Sequence, residues 1–249
     1  MSEQEPKVEN IRVYQPWSAP VLHFRLSEEQ IEDLLEITDL ALEDENRKSY
    51  NDKLAGEIDS EWEIPDYEDL SEVLDIPTLS EKYFQALAAQ NHIEIDGENT
   101  TMSQHLAVFA QNLDKAVLTS AWFNDQKDNE YNPAHDHTGV LSGVLYIKIP
   151  EYLPSRKHEN ADGSIIFIGN ELKTDGVMTN STLLLSPEVG DLFLFSSSLK
   201  HQVYPFRTAD GKGIRRSLSF NLGHQTLTHD ELQKLMQNKM QLGDKTING

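Results

Sequence analysis

Hydrophobic and polar positions follow two different periods along this chain, and the change falls near residue 116. Ahead of it, apolar residues recur every three to four positions. Ile31, Leu34, Leu35, Ile37 and Leu40 follow Ser27-x-x-Gln30, the reciprocal pattern in which a hydroxyl and a side-chain amide cap the first free N–H groups of a helix. An amphipathic helix is expected from there to about Glu45. Residues 11–26 (IRVYQPWSAPVLHFRL) read as extended, interrupted by two prolines. Residues 48–76 are acidic and weakly periodic, which predicts a loop with one short turn of helix. Thr78-x-x-Glu81 repeats the capping pattern before Tyr83, Phe84, Leu87 and Ala88, and a third helix is expected over Thr101–Leu113.

From Ala116 the texture becomes short apolar or alternating runs: AVLTSAWF (116–123), VLSGVLYIKI (140–149), SIIFIG (164–169), STLLL (181–185), DLFLFS (191–196), HQVYP (201–205) and RRSLSFNL (215–222). Gly, Pro, Asn and Asp clusters separate them, which predicts a β-sandwich or barrel, jelly rolls among the options. Thr228-x-x-Glu231 then opens a closing helix with Leu232, Leu235 and Met236. The expected organisation is an acidic, mainly helical region over 1–115 packed on a β-core over 116–227, with a helix and tail over 228–249.

Composition narrows the function classes. The 249 residues include no cysteine, which excludes disulfides, cysteine metal sites and a cysteine nucleophile. The net charge is −21, and a surface this acidic repels phosphate backbones, so duplex nucleic acid is not an expected partner. No apolar run approaches the ~20 residues of a membrane helix, and MSEQEPKVEN lacks a basic-then-apolar leader. A cytoplasmic protein is expected. The charge is uneven: residues 1–75 carry 22 acidic and 6 basic side chains, the remainder 20 and 15. The acidic front is a solvated helical face or a docking surface for a basic partner.

Three histidines stand where metal chemistry would need them. His135 and His137 flank Asp136 just before an apolar run. On a strand, residues i and i+2 share a face, so two imidazoles would converge while Asp136 points away. Imidazole suits iron, zinc, copper and nickel. The bland alternative is a pair of surface histidines in a turn. His201 follows GDLFLFSSSLK, between two apolar runs, and is either a hydrogen-bonded core residue or a further ligand. In GIRRSLSFNL, parity puts Arg215 on the face of Ser217 and Ser219, with Arg216 pointing out. An arginine aimed into a β-core is costly unless an anion meets it. That anion is a structural Asp or Glu, or a carboxylate ligand gripped bidentately.

The order and spacing of these motifs, HDHTGVLSGVLY, then GDLFLFSSSLKHQVYP, then RRSLSFN, resemble the Fe(II)- and 2-oxoglutarate-dependent dioxygenases, and within them the small 2OG-Fe(II) oxygenases of bacterial and phage genomes. The likeness covers about residues 116–223. It implies an α+β fold with a double-stranded β-helix (jelly-roll) core, helices packed outside, Fe(II) as metal and 2-oxoglutarate as co-substrate. By the same resemblance His135 and His201 take the first and distal histidine ligand positions. Arg215 takes the position that pairs with the distal carboxylate of 2-oxoglutarate, Ser217 adds a hydroxyl to that carboxylate, and Tyr146 resembles a tyrosine that lines the pocket. It also suggests a bacterial or phage-infected cytoplasm.

The chain departs from the family at one place. The usual triad is two histidines and a carboxylate, H-x-D/E…H, and here the i+2 position holds His137. Either His137 is the third ligand, or a bulge turns Asp136 inward. A neutral third ligand leaves one more positive charge on the metal centre. Other readings stay open: a three-histidine cupin-type dioxygenase without 2-oxoglutarate, a non-catalytic jelly-roll binding module, and, more weakly, a zinc hydrolase. The loops 124–134 and 151–163, the latter with Arg156, Lys157 and His158, are candidates for substrate choice, and Trp122 and Phe123 line the pocket or fill the core. The substrate and the oligomeric state are not legible.

Overall fold

A computed structural model of the chain describes residues 11–14, 20–90, 116–154, 161–169 and 182–224. The helix expected over Thr101–Leu113, the closing helix from Thr228 and the basic stretch Arg156–His158 lie outside those residues. The chain runs β1 (Ile11–Tyr14), β2 (Val21–Arg25), α1 (Glu28–Glu43), β3 (Glu61–Glu63), α2 (Glu68–Leu74) and α3 (Ile76–Gln90). It continues through β4 (Ala116–Gln126), β5 (Asn132–His135), β6 (Leu141–Lys148), β7 (Ile165–Ile168), β8 (Thr182–Leu185), β9 (Asp191–Ser196), β10 (Lys200–Val203) and β11 (Arg215–His224).

Seven strands form one sheet in the order β1-β2-β9-β6-β11-β4-β3, and four form a second, β5-β10-β7-β8. Each pairing is antiparallel. Strand parity sorts the large sheet into two faces. Leu22, Phe24, Phe123, Leu145, Leu192, Leu194, Leu218 and Phe220 pack with Leu34 of α1 and Leu70 of α2. Their neighbours Val21, Val144, Tyr146, Phe193 and Phe195 pack with Ile165 and Phe167 of the small sheet. The result is the α+β jelly roll expected from the motifs: two facing sheets, with helices on the outer side of the larger one. Among the described residues, no helix is long and apolar enough to cross a membrane.

The front of the chain does more than cover this core. β1, β2 and β3 are strands of the large sheet, at its two edges. The stretch 48–76, expected to be mostly loop, contains both β3 and α2. β3 exists because Glu61, Trp62 and Glu63 pair with Asn124, Phe123 and Trp122 of β4, a long-range contact that a local acidic sequence does not advertise. The Ser27–Gln30 capping box forms as expected, and the Gln30 amide also donates to the Val73 carbonyl at 2.8 Å, tying α1 to α2. Thr78 does not cap α3, which begins two residues earlier. Asp75 takes that role: it adopts φ 50° at the end of α2, and its carboxylate accepts from the Thr78 N–H at 3.4 Å. Asp tolerates this left-handed conformation better than most residues.

Arg216 corrects the simple parity expectation. It points away from the small sheet, yet it is only 6 % exposed because α1 lies over it. Its guanidinium grips Asp125 through Nε at 2.6 Å and Nη2 at 2.8 Å, and Nη1 reaches Asp39 of α1 at 2.5 Å. An outward position on a strand is solvated only where no second layer covers it.

Gly143 on β6 sits directly opposite Phe220 on β11. A Cβ there would lie 2.2 Å from the Phe220 ring, so the ring occupies the space a side chain would need. Gly143→Ala is expected to destabilise the protein by roughly 1–3 kcal/mol, the usual cost of overpacking a rigid core. Urea unfolding of the variant beside Phe220→Leu/Gly143→Ala checks this, since trimming the ring should restore part of the loss.

Candidate functional site

β5 and β10 are adjacent antiparallel strands, and their register places His135 directly opposite His201. His137 lies two residues past the end of β5, held by its backbone N–H donating to the Ser197 carbonyl at 2.9 Å. The strand ends at His135, so it is this backbone contact and not strand alternation that brings His137 round. The three imidazoles each offer a nitrogen within 4.8 Å of the others. Asp136 between them is exposed and is not part of the cluster.

The tautomers follow from the backbone. Nδ1 of His135 lies 2.7 Å from the Pro133 carbonyl, and Nδ1 of His201 lies 3.0 Å from the Leu199 carbonyl. A carbonyl only accepts, so Nδ1 carries the proton and Nε2 keeps its lone pair. This is the arrangement that orients and enriches a metal-binding imidazole. Burial pushes all three rings toward the neutral form: His137 down to about 4, His201 to about 3, and His135 downward as well. The ring of Trp122 tilts against His137 with centroids 5.5 Å apart. The cluster is therefore a set of neutral, pre-oriented nitrogen donors that fits a divalent transition metal.

The same pocket is lined by Tyr146, Arg215 and Ser217, so the structure brings all six residues singled out in the sequence to one place. Arg215 is 1 % exposed. Its Nη1 donates to the Gly163 carbonyl at 2.6 Å and Nη2 donates to the Gln126 side chain. Nε has no partner, and no carboxylate among the described residues pairs with this guanidinium. Tyr146 is fully buried beside it, ring centroid 5.4 Å from the guanidinium carbon, with a hydroxyl that also lacks a partner. Ser217 sits between Tyr146 and Asn124 in register. A buried cation with neutral partners and a spare donor fits an anionic group, and a carboxylate satisfies it bidentately.

Several residues of the site escaped the sequence reading. Gln126 and Gly163 orient Arg215; the signal for Gln126 was its parity with Trp122 and Asn124 on β4, which is visible only once the strand is extended to 126. Glu61 was hidden in a run of acids. It is 1 % exposed with no partner on either carboxylate oxygen, and burial, aided by the nearby Glu130, raises its pKa to about 7.

Two expectations follow. Metal binds the neutral imidazoles, so protons compete only as pH falls toward the depressed pKa values. Ni(II) affinity measured by calorimetry should fall less steeply from pH 7.5 to 5.5 than for three ordinary histidines titrating near ~6.5, which would each cost roughly tenfold at the lower pH. For Glu61 the sign is opposite. Its folded pKa lies above its unfolded value of 4.5, so full stability holds below 4.5 and is lost as pH rises through about 7. Glu61→Gln should match wild type near pH 4.5 and exceed it by up to about 3 kcal/mol at pH 8, read by urea unfolding.

Residues 120–221, about two fifths of the chain, match the family described as "Putative 2OG-Fe(II) oxygenase". No curated protein matches the sequence. Among solved structures, the chain is similar to a prolyl-4-hydroxylase from Pseudomonas putida, with 14 % identity over 81 % of this chain and 89 % of that one, TM-score 0.42. It is similar to AviO1 from Streptomyces viridochromogenes Tue57, at 14 % identity over 82 % and 90 %, TM-score 0.45. It is also similar to HygX from Streptomyces hygroscopicus, solved with nickel and 2-oxoglutarate bound, at 12 % identity over 84 % of each chain, TM-score 0.46. The segment 120–221, which supplies most strands of the facing sheets and all three clustered histidines, is similar to that 2OG-Fe(II) oxygenase family.

Proposed function

We propose that the protein is a non-haem Fe(II)- and 2-oxoglutarate-dependent oxygenase that hydroxylates a substrate not yet identified. The observation that carries the reading is the pairing, in one pocket, of three converging neutral imidazoles with a buried arginine that meets no carboxylate among the described residues. In this reading His135, His137 and His201 hold the metal. When bound, Fe(II) with 2-oxoglutarate supplies oxygen activation coupled to oxidative decarboxylation of the co-substrate to succinate and carbon dioxide.

The chain's own residues supply geometry and exclusion of water. Pro133 and Leu199 fix the rotation of two ligand rings. Arg215 and Ser217 take the distal carboxylate of 2-oxoglutarate, with the Tyr146 hydroxyl as a further donor. Gln126 and Gly163 hold the guanidinium in place before the co-substrate arrives, so little ordering is left to be done on binding. Trp122 closes the wall behind His137. Strands position most of these groups, His137 and Gly163 excepted, and strands hold geometry more precisely than loops. Residues 116–227 supply the site-bearing strands of the oxygenase core in this reading, and β1, β2 and β3 from the front of the chain complete its large sheet. The surroundings are cytoplasmic and the substrate is not duplex nucleic acid.

The three-histidine set also suits a dioxygenase that works without 2-oxoglutarate, and one experiment separates the two. Apo-protein is titrated anaerobically with Fe(II), then with 2-oxoglutarate, following the weak visible charge-transfer band of the chelate. The band should appear in wild type and in Asp136→Ala and vanish in His137→Ala. Arg215→Met should weaken 2-oxoglutarate binding on the order of 100-fold, the usual consequence of removing one member of a buried charge pair. Iron binding with no band in wild type would transfer the protein to the other class.

A further inference from the structure

Resting on the oxygenase reading, a second polar cluster bears on the substrate: Asn124 and Asn132 line the same pocket, and Glu61 is buried beside them. β3 lies at the edge of the large sheet, and Glu61 sits directly opposite Asn124 of β4. Directly opposed residues share a face, and Asn124 faces the pocket together with Trp122 and Gln126. Glu61 therefore points toward the inside of the jelly roll, although it lies on an edge strand. Gly56 packs against it. A Cβ at Gly56 would be 3.1 Å from Glu61 Oε1 and 3.0 Å from Asn132 Oδ1, so these two side chains meet at the glycine.

The cluster contains acceptors that lack donors. Both oxygens of Glu61, Oδ1 of Asn124 and Oδ1 of Asn132 are buried without hydrogen-bond partners. Glu61 is 1 % exposed and Asn124 5 %. Among the described residues, three cations have other partners: Lys53 lies over the Tyr50 ring at 4.3 Å, Arg47 over Trp62 at 4.7 Å, and Lys127 faces Asp59 at 3.8 Å. An unpaired buried carboxylate is costly and is kept where something else supplies its counter-charge. An ammonium group is three donors and no acceptor with a positive charge, which complements this set. A hydroxyl brings one donor and no charge.

Position makes the cluster useful to the reaction. Gln126, Asn124 and Trp122 alternate along the pocket face of β4. Gln126 bonds Arg215 and Trp122 touches His137. Asn124 lies between them, roughly 7 Å from each along the strand. A group anchored at Glu61 and Asn124 would thus enter from the β3 edge, with the rest of its carbon chain directed at the histidines. We propose that Glu61, Asn124 and Asn132 form the substrate's recognition subsite and that it takes a primary ammonium group, so the substrate class is an amine. The net charge of −21 would favour encounter with such a cation.

The test uses the full chain and two probes of equal size, n-butylamine and 1-butanol, with binding read by saturation-transfer NMR at pH 8. The metal-free protein is measured first, then protein with Ni(II) and 2-oxoglutarate. The amine should bind and the alcohol should not. Glu61→Gln, which keeps the shape and removes the charge, should weaken amine binding at least tenfold. Gly56→Ala, which crowds Glu61 and Asn132, should weaken it too. Equal binding of amine and alcohol, or full retention of amine binding in Glu61→Gln, overturns the proposal. Unfolding at pH 4.5 confirms that each variant is folded. The two readings fail separately: Glu61-dependent amine binding without a 2-oxoglutarate chelate would sink the oxygenase assignment and leave the subsite. A chelate with Glu61-independent amine binding would do the reverse.

Discussion

Two consecutive arginines are buried on opposite faces of β11, and that fact constrains the molecule. Arg215 must meet the pocket, where neutral acceptors and an anion can receive it, and Arg216 must meet Asp125 and Asp39 beneath α1. A slip of one residue would satisfy only one layer, putting either Ser217 against the two carboxylates or Ile214 in the pocket. β11 is flanked by β4 and β6 and pairs with both. Its register therefore sets theirs, and with it the parity that sends Trp122, Asn124 and Gln126 inward and Phe123 outward. The same interaction locks α1 to the sheet from the far side of the chain.

The pocket is assembled from groups whose polarity is left unanswered by the protein. Three imidazoles with free Nε2 edges, a guanidinium with an idle Nε, a tyrosine hydroxyl without a partner and a carboxylate without a cation all lie on the inner face or at its edge. On the same sheet, Asp191 is matched: it receives Arg25 and His23 and is held below the ordinary carboxylate range, chiefly by His23, despite its burial. Stability and site are thus in tension around the pocket. The helical face, rich in leucine and phenylalanine, carries the folding free energy that tolerates this.

Much of this was legible in the sequence, for identifiable reasons. The strands over 116–222 announce themselves because both faces of the large sheet are buried, so apolar runs and turn residues punctuate the chain strongly. His135, His137, His201 and Arg215 were legible because their residue types are rare in a β-core without a use. What failed to show was whatever depends on a distant partner. β3 is three residues long and acidic, and only its pairing with β4 makes it a strand. Asp75, not Thr78, starts α3, because a cap is decided by backbone geometry that two nearby candidates cannot settle between themselves. Arg216 was read as solvated because parity gives a face, and what covers that face is a tertiary matter.

The sheet order has a consequence for how the chain is made. β2 is complete at residue 25, yet its partner β9 begins at residue 191. On a ribosome adding about 5–20 residues per second, those strands wait roughly ten to thirty seconds for each other. During that interval the front third exposes apolar strand edges that are competent to pair with other chains. It is also the part of the protein with 22 acidic and 6 basic side chains. Like charges repel, so the acidity of that region opposes such pairing between nascent copies until the late strands close the sheet.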